Sequence, residues 1–402
     1  MRRLWLPIVG IGLTQMIGWG TSFTALTVLG SAISRDLHMA REAVFGGLTA
    51  MLLVSAVLAP RIGRHIDQHG GRDLMVQGAL AGAVALLVVG ASQGPLSFWF
   101  GWAIFGLAVA MMLNNASVPA LVQIAGPDAR RAVSALTIIT GITSAIFLPL
   151  TDWLAAHYGW RLTLLSFSLL YVVVCLPTLL AVLPPGRPEK PLPGGGGNDD
   201  VSWEGQAPPS ARTAVFCLVA LWMAMQGLIA WGFNVQVVDI LTGVGLLRDE
   251  AIAVWMLSGP SQAASRLGDF ASGGRSGILR LAMMASAATL LGFTISLLFG
   301  VSMFTAGALA ICFGVGQGLY AVARSLLPLR MFGLKSFGAT MGYLALPLNI
   351  VSALAPLLFS SLIVRAGPAI AFYVAAGAGV VSLVALLVLD RVIRVRTASV
   401  TL

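Results

Sequence analysis

Long apolar runs, broken by short polar turns, organise this chain. Twelve of them approach or exceed the roughly 20 residues that a helix needs to cross a hydrocarbon core. They cover residues 5–30, 43–62, 73–92, 96–124, 132–156, 160–183, 213–241, 251–267, 277–300, 303–331, 337–365 and 368–390. The runs are rich in Gly and Ala and lack the period-two alternation of membrane-barrel strands. Backbone in lipid must satisfy its own hydrogen bonds, so each run is predicted to be a helix. The expected fold class is an all-α polytopic membrane protein with 12 transmembrane helices. Met1-Arg2-Arg3 followed by an apolar run imitates a signal peptide. The run from Leu4 to about Gly30 is too long for a signal h-region and ends at no clear cleavage site, so it is read as the first span.

Most connections are short. The exception reads Pro-Pro-Gly-Arg-Pro-Glu-Lys-Pro from Pro184 and continues into Gly194–Gly197, the composition of a flexible polar linker. It separates six spans from six. The expected domains are a six-helix bundle over 1–183, a linker over 184–212 and a second six-helix bundle over 213–402.

Composition agrees with lipid as the solvent. Of 402 residues 58% are hydrophobic and 10% charged, against roughly 25% charged in a soluble domain. The net charge of +9 is spread as arginines punctuating apolar runs, with no continuous stripe, so no nucleic-acid partner is expected. With twelve spans both termini share one side. That side carries Arg2, Arg3, Arg61, Arg64, Arg72, Arg130, Arg131, Arg187, Lys190, Arg212, Arg266, Arg275, Arg280, Arg330, Lys335, Arg391, Arg394 and Arg396. The other side carries only Arg35, Arg41, Arg161, Arg248 and Arg365. The positive-inside rule then puts both termini and the linker in the cytoplasm of a cell with this chain in its inner membrane. Cys175, Cys217 and Cys312 all lie within apolar runs and form neither a disulfide pattern nor a zinc pattern.

The halves echo each other. Trp19-Gly20 in span 1 recurs as Trp231-Gly232 in span 7, each after a glutamine, Gln15 or Gln226. Arg61-Ile62-Gly63 recurs as Arg266-Leu267-Gly268, Gly70-Gly71-Arg72 as Gly273-Gly274-Arg275, and Pro119 as Pro328. Four matches in one order point to a duplicated six-helix unit, hence two pseudo-symmetric bundles.

Between spans 2 and 3 the chain reads Gly63-Arg64-His65-Ile66-Asp67-Gln68-His69-Gly70-Gly71-Arg72. This resembles the loop signature of the major facilitator superfamily, Gly-x-x-x-Asp-(Arg/Lys)-x-Gly-(Arg/Lys)-(Arg/Lys). Gly63, Asp67, Gly70 and Arg72 fit, whereas Gln68 and Gly71 depart from it. The six-plus-six layout and the position of the linker agree with that family. The resemblance implies alternating access, with the loop acting in gating. The physics suits a gate: glycines let helix ends approach, and the Asp67 carboxylate can pair with a cation or cap a facing helix. The lost basic residue at 68 weakens that latch. The alternative is a structural tight turn. His65 and His69, four apart, sit at a metal-pair spacing, but a solvated turn is the expected state and no metal is predicted.

Polar groups within spans are costly and are the candidates for function. Arg324 lies in span 10, roughly 9 Å from the level of Arg330 at 1.5 Å per residue. Facing a cavity it would hold a carboxylate or phosphate by a forked pair of hydrogen bonds. Otherwise it snorkels to headgroups or pairs with Asp269. Near mid-membrane lie Gln15, Trp19, Asn114, Asn115, Gln226, Trp231, Asn234, Gln317, Tyr320, Tyr343 and Asn349. The resemblance implies that spans 1, 4, 7 and 10 line the cavity, where most of these fall. Individual amides can instead serve as interhelical glue. Asp152 and Asp239, near the outer ends of spans 5 and 7, are the acidic candidates for coupling.

The expected activity is secondary active transport by alternating access of a small solute, an organic anion such as a monocarboxylate. Gly259-Pro260-Ser261-Gln262 before Arg266, and the Gly314-x-Gly316-x-Gly318 stretch before Arg324, look like the bacterial branch near the monocarboxylate and organic-anion porters. Drug–proton antiporters carry a Gly-Pro motif in span 5, absent from Gly141–Pro149 here. A proton-coupled efflux pump and a transport-inactive, transporter-like sensor are the alternatives. An enzyme is not expected: His38, His65, His69 and His157 fall in predicted loops, and no convergent catalytic set is visible. No cofactor is implied. The expected partners are the small-molecule substrate, the bilayer and protons as a coupling ion, with the chain acting as a monomer.

Overall fold

The computed structural model describes residues 4–186, 207, 209–272 and 277–398. Nearly all of them are helical, and no strand occurs among the described residues. Arg2, Arg3, Arg187, Lys190, Gly194–Gly197 and the repeat match Gly273-Gly274-Arg275 lie outside the described residues, as do the side chains of Arg41 and Arg396.

The first half runs α1 Trp5–Trp19, a π-turn Gly20–Thr24, α2 Ala25–Asp36, α3 Arg41–His69, α4 Arg72–Gly90, α5 Pro95–Met112 and α6 Asn114–Ala125. It continues with α7 Ala129–Gly141, α8 Thr143–Leu170, a π-turn Tyr171–Cys175 and α9 Leu176–Val182. The second half runs α10 Arg212–Leu228, a π-turn Ile229–Phe233, α11 Asn234–Gly243, α12 Arg248–Trp255 and α13 Ser258–Ala271. Then follow α14 Ile278–Phe299, α15 Met303–Phe332, α16 Phe337–Ala366 and α17 Pro368–Ala398.

Among the described residues, nine helical stretches are long and apolar enough to cross a membrane. One of these, Pro95–Val182, takes in three predicted runs. It is broken by the 3-10 turn Gly126–Asp128 and at Gly159, whose φ of 74° leaves the helical region. The predicted run 251–267 is divided instead. Met256 and Leu257 separate α12 from α13, so neither helix reaches crossing length alone. Pro260 sits in the first turn of α13, where a missing N–H costs no hydrogen bond.

The contacts group the chain into two compact units. Unit 1 is Met1–Ser202 with Lys335–Leu346; unit 2 is Trp203–Leu334 with Pro347–Leu402. Helix α16 therefore begins in unit 1 and ends in unit 2. Three features differ from the predicted loops. Gly63–His69, expected as a loop, forms the last two turns of α3, and only Gly70 (φ 84°) and Gly71 make the turn. His65 and His69 are accordingly helical, with rings stacked 4.6 Å apart. His157 lies within α8.

Inside unit 1, α3 and the start of α16 approach to backbone contact. A Cβ at Gly63 would lie 1.9 Å from the Gly338 carbonyl oxygen, and one at Gly342 would lie 2.2 Å from that of Ala59. Ala59 and Gly63 on one helix, and Gly338 and Gly342 on the other, form the small-residue pairs that permit this approach in lipid. The repeated Trp-Gly pairs share a local structure. Trp19 precedes the first π-turn and Trp231-Gly232 lies within the third. Gly20 sits beneath the Phe147 ring and Gly232 beneath that of Phe359, at distances that no Cβ would tolerate.

Unit 2 is built on aromatic packing. Phe233 meets Phe293 at 4.9 Å and Phe372 at 5.7 Å, edge to face, as aromatic quadrupoles prefer. Three of the four glycines of α15 then set its neighbours. Gly314 and Gly318, one turn apart, face α13: a Cβ would lie 2.3 Å from Ser258 O and 1.9 Å from Ser265 Oγ respectively. Gly316 faces α14 at Thr289 and Ala285. This close seating of α13 on α15 is what shapes the cavity described next.

Candidate functional site

A cavity of about 190 Å³ opens within unit 2, lined by Gly227, Ala230, Trp231, Gln262, Arg266, Gln317, Tyr320, Ala321, Arg324 and Leu348. Helical spacing explains the set. Gln317, Tyr320, Ala321 and Arg324 fall at i, i+3, i+4 and i+7 and so share one face of α15. Gln262 and Arg266 are i and i+4 on α13. The end of α10 and its π-turn supply Gly227, Ala230 and Trp231, the irregular turn being a frequent device at functional sites. Leu348 of α16 closes the wall with an apolar group.

The walls carry positive charge and unused hydrogen-bonding capacity. Arg266 is only 9% exposed. Arg324 is half-buried, and its guanidinium carbon lies 5.8 Å from the Tyr320 ring centroid, a cation–π contact. The Tyr320 hydroxyl donates to Met223 O at 3.2 Å, which fixes the ring. Among the described residues no carboxylate is ion-paired with Arg324, so the expected alternative of pairing with Asp269 is not what is found. Gln317 is 7% exposed, and its side-chain nitrogen has no hydrogen-bond partner. A buried unsatisfied donor is costly and uncommon, and one on a cavity wall suits a ligand's acceptor. Chemically, the cavity offers two guanidinium groups, an amide donor and aromatic and aliphatic walls.

Of the residues singled out from sequence, Trp231, Gln317, Tyr320 and Arg324 come together here. The others do not line this cavity. Gln15 donates to Ser117, Asn115 to Ser55 Oγ at 3.3 Å, and Gln226 to Ser286 Oγ at 3.0 Å. These amides join helices, as glue does. Asn234 accepts from Trp255 Nε1 at 2.9 Å. Trp19, Asn114 and Asn349 are half-buried, and Tyr343 is exposed. Asp152 is exposed, and Asp239, also exposed, pairs with Arg248 at 3.3 Å. Arg266 and Gln262 were not recognised as lining residues, because a boundary at 267 placed Arg266 at a span end. Their i, i+4 spacing after Gly259-Pro260 was the available signal. Asp269, buried at 7% exposure in α13, lies just beyond the predicted span end at 267.

The residues expected from the sequence to act in gating belong to unit 1. The Asp67 carboxylate accepts the backbone N–H groups of Gly338 at 2.9 Å and Ala339 at 2.7 Å. It thus caps the N-terminus of α16, where free N–H groups and the helix dipole both favour an anion. Gly63 supplies the close approach, Gly70 the turn, and Arg72 the first residue of α4.

The profile of the Major Facilitator Superfamily matches residues 11–260 of this chain. No curated protein sequence matches it. Solved structures similar to it include the human organic anion transporter MFSD10 (TETRAN), 16% identical over 96% of this chain and 99% of that one, with a TM-score of 0.70. The proton:xylose symporter XylE is 11% identical over 95% of both chains, with a TM-score of 0.72. The E. coli fucose:proton symporter FucP is 11% identical over 96% of this chain and 99% of that one, with a TM-score of 0.67. At these identities the likeness is one of fold.

Proposed function

The chain belongs to the major facilitator superfamily, and from that premise we propose that it is a secondary active transporter that moves a small organic anion, such as a monocarboxylate, by alternating access. It is a multi-pass membrane transport protein and not an enzyme. The fold does not choose the solute: the similar structures include an organic anion transporter and two proton-coupled sugar symporters. The observation that carries the choice is the shared presence of Arg266 and Arg324 on one cavity wall beside Trp231 and Tyr320. Guanidinium groups hold carboxylates by forked hydrogen bonds, and the aromatic rings suit the organic part of the solute.

The gate in this proposal is the Asp67 cap. Helix α16 starts against α3 and continues into unit 2, so a movement of unit 2 that draws α16 from α3 must break the cap. The missing basic residue at 68 leaves the cap as the chief polar element of the latch. Protons are the proposed coupling ion, with Asp152, Asp239 and buried Asp269 as the carboxylates to test. The charge asymmetry supports an inner-membrane location with both termini cytoplasmic. A monomer is the proposed transporting unit.

The test is uptake of labelled carboxylates into proteoliposomes holding the purified protein, with and without a pH gradient. Saturable carboxylate uptake that Arg324→Ala abolishes supports the proposal. Full uptake in Arg324→Ala sinks the role of Arg324. Movement of amphipathic cations only would favour an efflux pump, and binding without movement a sensor.

A further inference from the structure

His65 and His69 belong neither to the cavity nor to the cap. The sequence expects them in a solvated turn; they stand instead on the last two turns of α3, four residues apart and so on one face of the helix. Their rings stack with centroids 4.6 Å apart and planes 26° apart. Both side chains are exposed, so a dissolved ion can reach them. Among the described residues no hydrogen bond or ion pair engages a nitrogen of either ring. Two histidines at i and i+4 of a helix project to one side, at a separation that a single zinc ion bridges. Tetrahedral zinc takes imidazole nitrogens at about 2.0–2.1 Å, which sets two of them roughly 3.4 Å apart. Centroids 4.6 Å apart bring that spacing within reach of side-chain rotation, with the backbone unmoved. Helix α3 also ends here, and the negative end of its dipole favours a bound cation. Arg61 lies on the same stripe one turn earlier. Its exposed charge is screened by salt, so it lowers affinity without barring the ion.

We propose that His65 and His69 form a two-histidine site for a divalent transition cation of the zinc, nickel or copper kind, bound through one nitrogen of each ring. Imidazole suits these ions, whereas magnesium and calcium prefer oxygen. No group of three ligating side chains occurs among the described residues, so water completes the coordination and the site is open and exchangeable. The bound ion clips together the two turns that carry Asp67, whose carboxylate caps α16. The site stands independently of the solute and of the transport reading.

The test uses the full chain in detergent without a histidine tag, which would mask the signal. Melting is followed with ZnCl2, NiCl2 or MgCl2 against an EDTA-treated sample, and zinc affinity is measured by titration calorimetry. An ion that binds the folded helix raises the melting temperature by mass action. Zinc and nickel should stabilise, and magnesium should not. His65→Ala and His69→Ala should each weaken zinc binding about tenfold or more, because the second ring acts at high effective concentration on the same helix. Both positions are exposed, so in EDTA these variants should melt with the parent. His38→Ala and His157→Ala, elsewhere in the chain, should keep the parent's zinc affinity. Zinc stabilisation that survives the loss of His65 or of His69 overturns the site, as does a parent that binds no zinc. An equal response to magnesium marks a general effect of divalent charge and overturns it too.

Discussion

The Asp67 carboxylate accepts the backbone N–H of Gly338 at 2.9 Å, across 271 positions of sequence. Its second oxygen takes the N–H of Ala339, so one side chain satisfies two of the N–H groups that a helix leaves open at its start. Asp67→Ala should cost about 1 kcal/mol, as the loss of a helix cap does. Asp67→Asn keeps one acceptor and loses the charge, and should fall between. Thermal melts of the two variants and the parent check the order, and transport assays read the gate. Unchanged transport and melting in Asp67→Ala would remove the cap from both roles.

Gly63 and Gly268 occupy matching positions in the sequence repeat but not in structure. A Cβ at Gly63 would meet the Gly338 carbonyl at 1.9 Å, whereas one at Gly268 has nothing within 4 Å. Gly63→Ala is expected to destabilise by about 1–3 kcal/mol through overpacking against rigid backbone. Gly268→Ala, in exposed helix, should be neutral or mildly stabilising. The difference in melting temperature between the two variants is the measurement.

Gln317 carries a buried nitrogen with no partner. Gln317→Leu should therefore stabilise the ligand-free protein by about 1 kcal/mol, since it removes an unsatisfied polar group at nearly constant volume. The same change should weaken anion binding, because the solute loses a donor. Melting without ligand and calorimetric titration with it must move in opposite senses.

Arg161 ties together separate helices of unit 1. It donates to the carbonyls of Gly90 and Ser92 at 2.8 and 2.7 Å and pairs with Asp36 at 2.8 Å. Arg161→Lys keeps the charge but cannot present the planar fork to three acceptors. It should lower the melting temperature while leaving anion affinity within about twofold, since Arg161 lies in the other unit from the cavity. A loss of affinity equal to that of an Arg324 variant would contradict this division.

The sequence by itself determined that this protein is helical and lives in lipid. Apolar runs of crossing length and a backbone that must bond to itself leave no other solution. It also marked the Gly63–Arg72 motif, the Trp-Gly repeat and Arg324, because intramembrane charge and glycine at fixed spacing are visible without any partner. Tertiary structure alone decided which polar groups meet. Gln15, Asn115 and Gln226 read the same as Gln317 in the sequence, yet three bond to neighbouring helices and one faces a cavity. Arg266 read as a cation at a span end until the seating of Gly314 and Gly318 on α13 brought its helix against α15. The physical reason is that helical periodicity fixes which residues share a face, whereas the partner of that face depends on how closely two backbones can approach.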